Sequence, residues 1–237
     1  MFKALAHLTA VFLFALPGGA RAESVHFELD GKAPVSDWTV SAKVTKLLAR
    51  GFEFEALFFE SSDVLHPDLS GKQGVFRTGF AEKAEFEHAV GDEVTFHIQA
   101  GKEPCKEMGM SIERDEKLLF GWYRRYQDVP NGIKILPDAG SSKTSLRVDP
   151  DENKEELLEK NASGSVYRLP VKVSLEPGGQ AETIPVADIG KKSTGIAGAE
   201  GKYRVFAVES SRLEAVGASK CKAFTVEVVI WAEGKVK

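Results

Sequence analysis

Strict alternation of apolar and polar side chains is the feature that most constrains how this chain can fold. In residues 52–55, with the sequence FEFE, the phenylalanines would face one side of an extended chain and the glutamates the other. Residues 94–99, with the sequence VTFHIQ, repeat the pattern. A period of two residues is typical of strands with one buried face. The sequence therefore predicts a protein built mainly from half-buried β-strands.

Further strands are predicted where similar apolar patterns are bounded by turn residues. Asn131-Gly132 and the PGG of residues 177–179 are two of these turn signals. The predicted strands cover residues 24–29, 38–47, 74–80, 118–126, 133–136, 166–175, 182–187, 203–209 and 223–231. Together they predict an all-β fold, specifically an antiparallel β-sandwich of immunoglobulin-like type.

The matching of apolar faces predicts one hairpin within residues 84–100. Placing Phe86 opposite Ile98 leaves the three-residue loop 91–93 between the two strands. The same register directs His97 to the outer face and His88 to the inner face. We therefore do not expect these two histidines to share a metal ion.

One short surface helix is predicted near residues 149–161. Asp149 can cap its first turn, Pro150 suits its first helical position and Asn161 can end it. Its apolar face consists of little more than Leu157 and Leu158. The helix is therefore expected on the surface, within a long connection from about residue 138 to residue 165.

The first 22 residues have the three-part layout of a cleavable secretory signal. Lys3 precedes an apolar run over residues 8–16, and the small-residue pattern Ala20-Arg21-Ala22 follows. The apolar run is too short to span a bilayer. We expect the mature chain to be periplasmic or secreted and to contain no transmembrane segment.

The charge of the expected mature chain argues against one class of partner. The sequence has 31 basic and 35 acidic residues, and removal of Lys3 and Arg21 changes its formal net charge from −4 to −6. Such a surface repels the phosphates of nucleic acids, so no nucleic-acid partner is expected. Residues 23–237 are enough for one β domain or two tightly joined β domains, with a possible boundary near 137–144.

The two cysteines of the chain, Cys105 and Cys221, are predicted to form a disulfide. An even pair in an exported protein is typical of such a bond. Closing a loop of roughly 100 residues or more would stabilise the fold by about 4–5 kcal/mol in the chain-entropy treatment. The bond would connect the C-terminal strand to the middle of the chain.

Metal binding is the alternative use of Cys105. Together with Met108 and Met110 it places three sulfur atoms within residues 105–110, and soft sulfur ligands select Cu(I). In the other interpretation, Cys105 belongs to the disulfide and the methionines pack under a loop. Copper is the one cofactor that the sequence suggests; otherwise none is expected.

An aromatic and basic strand is a candidate ligand-binding face. Trp122, Arg124 and Tyr126 would share one face of the strand, and such a face can stack on a sugar ring, a peptide or a base. The alternative is that the rings lie at the margin of the β core with an arginine stem over them.

Catalytic motifs are not recognisable in the sequence: it contains no nucleophile elbow, no phosphate-binding glycine loop and no His-Glu-x-x-His. This favours a non-catalytic exported binding or accessory protein of the cell envelope, contacting a protein or an envelope component. One alternative is a periplasmic copper-handling protein that uses Cys105, Met108 and Met110. Another is a hydrolase with an unrecognised site of separated carboxylates, which requires a pocket containing acids with raised pKa values.

Several segments also carry a family resemblance. They are residues 91–96 (GDEVTF), the aromatic strand 119–126, residues 131–137 (NGIKILP), Leu169-Pro170 and residues 203–207 (YRVFA). In this order, and over about half of the chain, they resemble an uncharacterised bacterial β-sandwich domain found in exported proteins and beside kinase-like or caspase-like modules. The predicted acidic helix and the two cysteines depart from that pattern. The resemblance implies a fold and an accessory role, and it implies no reaction.

Overall fold

The computed structural model shows an antiparallel all-β protein. It describes residues 25–79, 88–100, 108–115, 117–127, 133–135, 145–162, 164–176, 179–196, 203–215 and 224–232. In the described part of the chain, no helix is both long enough and apolar enough to cross a membrane.

Sixteen strands and two 3-10 turns make up the regular structure of the described residues. The strands are β1 (Val25–Leu29), β2 (Trp38–Leu48), β3 (Gly51–Ser61), β4 (Gln73–Thr78), β5 (Glu93–Ala100), β6 (Met108–Arg114), β7 (Lys117–Gln127), β8 (Ile133–Ile135), β9 (Ser145–Pro150), β10 (Glu156–Asn161), β11 (Gly164–Arg168), β12 (Val171–Glu176), β13 (Glu182–Ile184), β14 (Ser193–Gly195), β15 (Tyr203–Ala215) and β16 (Phe224–Ala232). The 3-10 turns are Glu152–Lys154 and Val186–Asp188.

The strands form one large sheet and one small sheet. The large sheet has the order β1-β4-β3-β2-β5-β6-β7-β16-β15-β11-β10, and β14 also pairs with β15. The small sheet has the order β13-β12-β9-β8. Because β7 pairs with β16, strands from both sides of the predicted boundary near 137–144 share the large sheet. The boundary residues themselves lie outside the described ranges.

An aromatic core packs against the inner face of the large sheet. The alternation predicted at residues 52–55 and 94–99 is seen here, since Phe52, Phe54 and Phe96 are completely buried. The ring of Phe27 on β1 lies 5.0 Å from that of Phe96 on β5, measured between centroids. This core fixes the positions of the strands whose other face is described below.

A second core lies between the small sheet and the outer face of β7, β16 and β15. Strand β16 is consequently buried on both sides. Val226, Val228 and Ile230 belong to this second core, whereas Val229 and Trp231 belong to the aromatic core. Burial of both faces explains why β16 has an almost continuous apolar sequence instead of alternation.

The dipeptide Leu169-Pro170 carries the chain from one sheet to the other. It divides the predicted strand 166–175 into β11 of the large sheet and β12 of the small sheet. Proline has no N–H to donate to a strand neighbour, so pairing is interrupted there. The Pro170 carbonyl instead accepts a hydrogen bond from the backbone N–H of Asp151, with N and O 2.8 Å apart.

The predicted helix at residues 149–161 is wrong. The Asp151 side chain caps only the 3-10 turn Glu152–Lys154, where it accepts a hydrogen bond from the backbone N–H of Asn153. Residues Glu156–Asn161 form β10 and pair with β11. Pairing with β11 satisfies the backbone hydrogen-bonding groups of this segment. The segment has too few apolar side chains to hold a helix against a core.

The predicted hairpin within residues 84–100 is also wrong. Ile98 of β5 lies opposite Trp38 of β2 on one side and opposite Met110 of β6 on the other. A strand has only two edges for backbone pairing, and at Ile98 both are taken by β2 and β6. The predicted partner, Phe86, lies outside the described residues. The pairing of β5 is set by strands that the sequence separates from it by longer distances.

Candidate functional site

An open groove crosses the outer face of the large sheet. The small sheet covers that face over β7, β16 and β15, whereas outward-facing side chains of β2 and β5 stay exposed or half-buried. The groove has a volume of about 540 Å³. Side chains from five strands line it, including Thr39, Glu60, His97, Gln99, Ser111 and Tyr123.

Strand register brings polar side chains together on the groove floor. Thr39 of β2 lies opposite His97 of β5, and His97 lies opposite Ser111 of β6. Because side chains alternate along a strand, the neighbours of these residues point into the aromatic core. The fold thus presents a polar row on a scaffold held by buried rings.

Tyr123 forms the wall of the groove nearest to the small sheet. A Cβ atom on Gly121 would lie 2.7 Å from Cε2 of the Tyr123 ring, and one on Gly109 would lie 3.0 Å from its Cδ1. Glycine is therefore needed at Gly121, where the ring lies against the backbone. Burial raises the pKa of the Tyr123 phenol, and the negative charge of Glu113 acts in the same direction.

His97 and Glu113 form a titratable pair where the groove meets a second pocket, because His97 lines both and Glu113 lines the second. Nε2 of His97 lies 3.6 Å from Oε2 of Glu113. The interaction with the Glu113 carboxylate raises the pKa of His97 above its usual 6.5, although partial burial opposes the change. The Ser111 hydroxyl donates to Oε1 of Glu113 over 3.4 Å. We call the neighbouring side chains of Tyr123, Ser111, Glu113 and His97 the His97 cluster.

A second open pocket continues the groove on the other side of His97. Its volume is about 450 Å³, and Glu93 and Asp115 are among its lining residues. The guanidinium of Arg114, which also lines it, is paired with Asp92 at 2.6 Å between Nη2 and Oδ2. Carboxylates therefore dominate the charge of this end of the groove.

Trp122 and Arg124, the predicted ligand contacts on β7, converge on a buried carboxylate. Nε1 of Trp122 donates to Oε1 of Glu227 over 2.9 Å, and Nε of Arg124 donates to Oε2 over 3.0 Å. The Glu227 side chain is completely buried, so these donors compensate its charge. The side chain of Tyr126 lies outside the described part, and ligand binding by the three residues stays a prediction.

The predicted metal ligands Met108 and Met110 lie on the inner face of β6. Met110 is buried in the aromatic core and Met108 packs against that core. Cys105 and Cys221 lie outside the described residues, so both the disulfide and the copper site stay predictions. Within the described ranges, no group of three or more His, Cys, Asp or Glu residues is arranged to hold a metal ion.

His88 is separate from the His97 cluster. Its ring packs against the ring of Phe52 at 4.6 Å between centroids. Burial, assisted by the positive charge of Arg114, lowers the pKa of His88 to about 4. His88 is therefore uncharged at neutral pH, and its placement agrees with the predicted inward orientation.

The His97 cluster can donate and accept hydrogen bonds and can carry charge. A hydrolase of the predicted type would in addition need acids with raised pKa values. The pKa values of Asp68 and Asp151 are shifted downward by hydrogen bonds, which at Asp151 outweigh the opposing effect of burial. Neither residue lines the groove.

Sequence-based features that point to the groove are few. The alternation at 94–99 placed His97 on a polar face, but its partners Thr39 and Ser111 come from other strands.

Comparisons with known proteins add no functional assignment: no protein-family model, curated protein or solved structure matches the chain.

Proposed function

We propose that this chain is a non-catalytic exported binding or accessory protein of the cell envelope, and that the groove at the His97 cluster is its binding site. The observation that supports this most directly is the polar row of Thr39, His97 and Ser111 on strands whose opposite faces pack in the aromatic core. Binding side chains on such strands are held in place before a ligand arrives, which reduces the entropy lost on binding.

The groove lining favours a ligand rich in hydrogen-bonding groups. Thr39, Gln99 and Ser111 provide hydroxyl and amide groups, and Glu60 provides a carboxylate. These groups suit the backbone of a protein segment or the hydroxyls of an envelope polysaccharide. The open shape gives access to a segment of a larger molecule, in agreement with an envelope or protein partner.

The proposal also includes the location of the protein and its type of β fold. Residues 1–22 support a periplasmic or secreted location, because their layout is that of a secretory signal. We propose an immunoglobulin-like sandwich for the antiparallel sheets; face-to-face packing of the small sheet on β15 and β16 supports it. The sequence resemblance to an exported β-sandwich domain supports an accessory role.

Capture from an envelope extract of the producing organism tests the proposed site. Gln99 is exposed in the groove, so Gln99→Trp fills the groove without disturbing the core. Leu158→Trp places the same ring on exposed β10 as a matched control. We expect the wild type and Leu158→Trp to retain the same protein or polysaccharide and Gln99→Trp to lose it. Equal retention by all three, with equal thermal midpoints, would contradict the proposal.

A copper-handling role is the second candidate. The observation in its favour is that Met108 and Met110 line the same cavity, of about 240 Å³, between β1 and β6. Titration with Cu(I) should then stabilise the protein, and Met108→Leu should reduce that effect. Alkylation without and with prior reduction is the companion measurement: labelling of Cys105 and Cys221 only after reduction would show the disulfide and remove the thiol ligand.

A further inference from the structure

Two adjacent aliphatic side chains are almost completely exposed in the loop between β3 and β4. Val64 is 92% exposed and Leu65 is 88% exposed. Val35, in the loop between β1 and β2, is 77% exposed. Single exposed aliphatic residues are ordinary, but a group of them at one point of the surface is typical of an interaction site. We call Val35, Val64 and Leu65 the apolar tip.

Hydrogen bonds between the two loops hold the apolar tip together. The hydroxyl oxygens of Ser36 and Ser61 lie 2.8 Å apart. The backbone N–H of Ser62 donates to the Asp37 carbonyl over 2.9 Å, and the N–H of Asp37 donates to the Ser62 hydroxyl over 3.1 Å. Val35 therefore extends from the same end of the large sheet as Val64 and Leu65.

The local structure keeps the tip facing outward. Oδ1 of Asp63 accepts a hydrogen bond from the Leu65 N–H, and the Asp63 carbonyl accepts one from the His66 N–H. The donor–acceptor distance is 3.0 Å in both. The His66 ring packs edge-on against Trp38 at 5.1 Å between centroids. These contacts fix the turn to the core, so its aliphatic side chains are held in the solvent.

The size and shape of the tip favour a lipid surface over a second copy of the chain. Three aliphatic side chains expose on the order of a few hundred Å² of apolar surface. A stable protein interface buries about 800 Å² on each partner. A protruding tip can instead insert among lipid chains, which surround each side chain and remove it from water.

The charges near the tip determine which lipid headgroups it can approach. The two connected loops, residues 30–37 and 62–72, contain four carboxylates (Asp30, Asp37, Asp63 and Asp68) against two lysines (Lys32 and Lys72). Hydrogen bonds from the backbone N–H and hydroxyl of Ser70 lower the pKa of Asp68, which keeps it ionised. Carboxylates repel anionic headgroups and attract the ammonium groups of zwitterionic phospholipids.

We propose that the apolar tip, formed by Val35, Val64 and Leu65, inserts reversibly into the interface of a zwitterionic phospholipid surface. Insertion would hold the groove beside that surface, because Asp37, Ser61 and Ser62 line the groove at the base of the tip. Insertion does not depend on what the groove binds.

Vesicle co-sedimentation of the exported protein tests the proposal. Chains that have lost residues 1–22 are selected by mass, because an uncleaved apolar segment would bind vesicles by itself. We expect saturable binding to vesicles of phosphatidylethanolamine and phosphatidylcholine. Adding phosphatidylglycerol should weaken it. The double substitution Val64→Ser and Leu65→Ser should lower the partition coefficient by about tenfold or more, since two inserted aliphatic side chains are lost.

Val90→Ser is the matched control for a lost exposed valine. Val90 is 62% exposed and lies at the opposite end of β2, beside Gly91, whose N–H donates to the Val44 carbonyl. This variant should bind vesicles as the wild type does.

Three results would overturn the proposal. The first is the absence of vesicle binding by the wild type. The second is binding that requires phosphatidylglycerol or that survives the double substitution in a folded variant. The third is a change in oligomeric state on double substitution, measured by sedimentation equilibrium, with no change in vesicle binding; the tip would then be a self-association surface.

Discussion

Replacing Glu227 with glutamine would remove the negative charge beside Arg124 while keeping the size of the side chain. The amide oxygen of glutamine can still accept the hydrogen bond from Trp122, so the substitution mainly tests the ion pair. Breaking a buried ion pair costs about 3–5 kcal/mol. The Arg124 side chain is 29% exposed, and solvent can stabilise part of its unpaired charge. We therefore expect Glu227→Gln to lower the free energy of unfolding by about 2–4 kcal/mol.

A double-mutant cycle isolates the electrostatic part of this loss. Arg124→Met removes the cation and keeps an extended apolar side chain, so the double variant with Glu227→Gln contains neither charge. Because a buried ion pair can be replaced by uncharged groups at little cost, we expect the double variant to lie within about 1 kcal/mol of the wild type. Unfolding in urea, followed by tryptophan fluorescence, gives the four free energies. Additive losses from the two substitutions would refute the reasoning.

Other perturbations test the groove and its surroundings. Gly121→Ala should cost about 1–3 kcal/mol in denaturant unfolding because its Cβ would meet the Tyr123 ring, and Tyr123→Ser should relieve most of that loss; an equal loss in both backgrounds would contradict the contact. Glu113→Gln should lower the pKa of His97 in an NMR titration. Because the pKa of His97 is raised in the folded protein, protonation of His97 stabilises the fold below pH ~6.5. This contribution to the free energy of unfolding is lost as the pH rises through the pKa of the folded state. An unchanged His97 pKa in Glu113→Gln would refute the interaction between the two side chains. The pKa of His88 is lowered to about 4, so thermal stability should fall as pH decreases from about 6.5 to 4, and His88→Gln should reduce this dependence. A pH dependence identical to that of the wild type would contradict the burial of His88.

Alternation predicted many of the strands and their buried faces, but it missed β6, β9, β10 and β14 and did not show which strands are neighbours. Residues 52–55 and 94–99 have a period of two, and their phenylalanines are buried. The order of the large sheet depends on long-range pairing, as between β2 and β5 and between β7 and β16. The groove could not be predicted because its polar row is assembled by that order.

Local sequence signals gave a wrong prediction where pairing with a distant strand satisfied the backbone hydrogen-bonding groups in place of a helix. The capping residues at 149–161 predict a helix, yet Asp151 caps a single 3-10 turn and the following residues pair with β11. Glu227 was identifiable in principle, because it interrupts the apolar run 226–231. A charge in a strand buried on both faces needs a partner, and the basic residues of β7 were the natural candidates.

Site-specific photo-crosslinking in the envelope of the producing organism tests the binding function most directly. A photoreactive amino acid is introduced at Gln99, in the groove, and separately at Leu158, on exposed β10. We expect one defined protein or polysaccharide adduct from position 99 and none from position 158. No adduct at position 99, or the same adducts from both positions, would contradict a binding site at the His97 cluster.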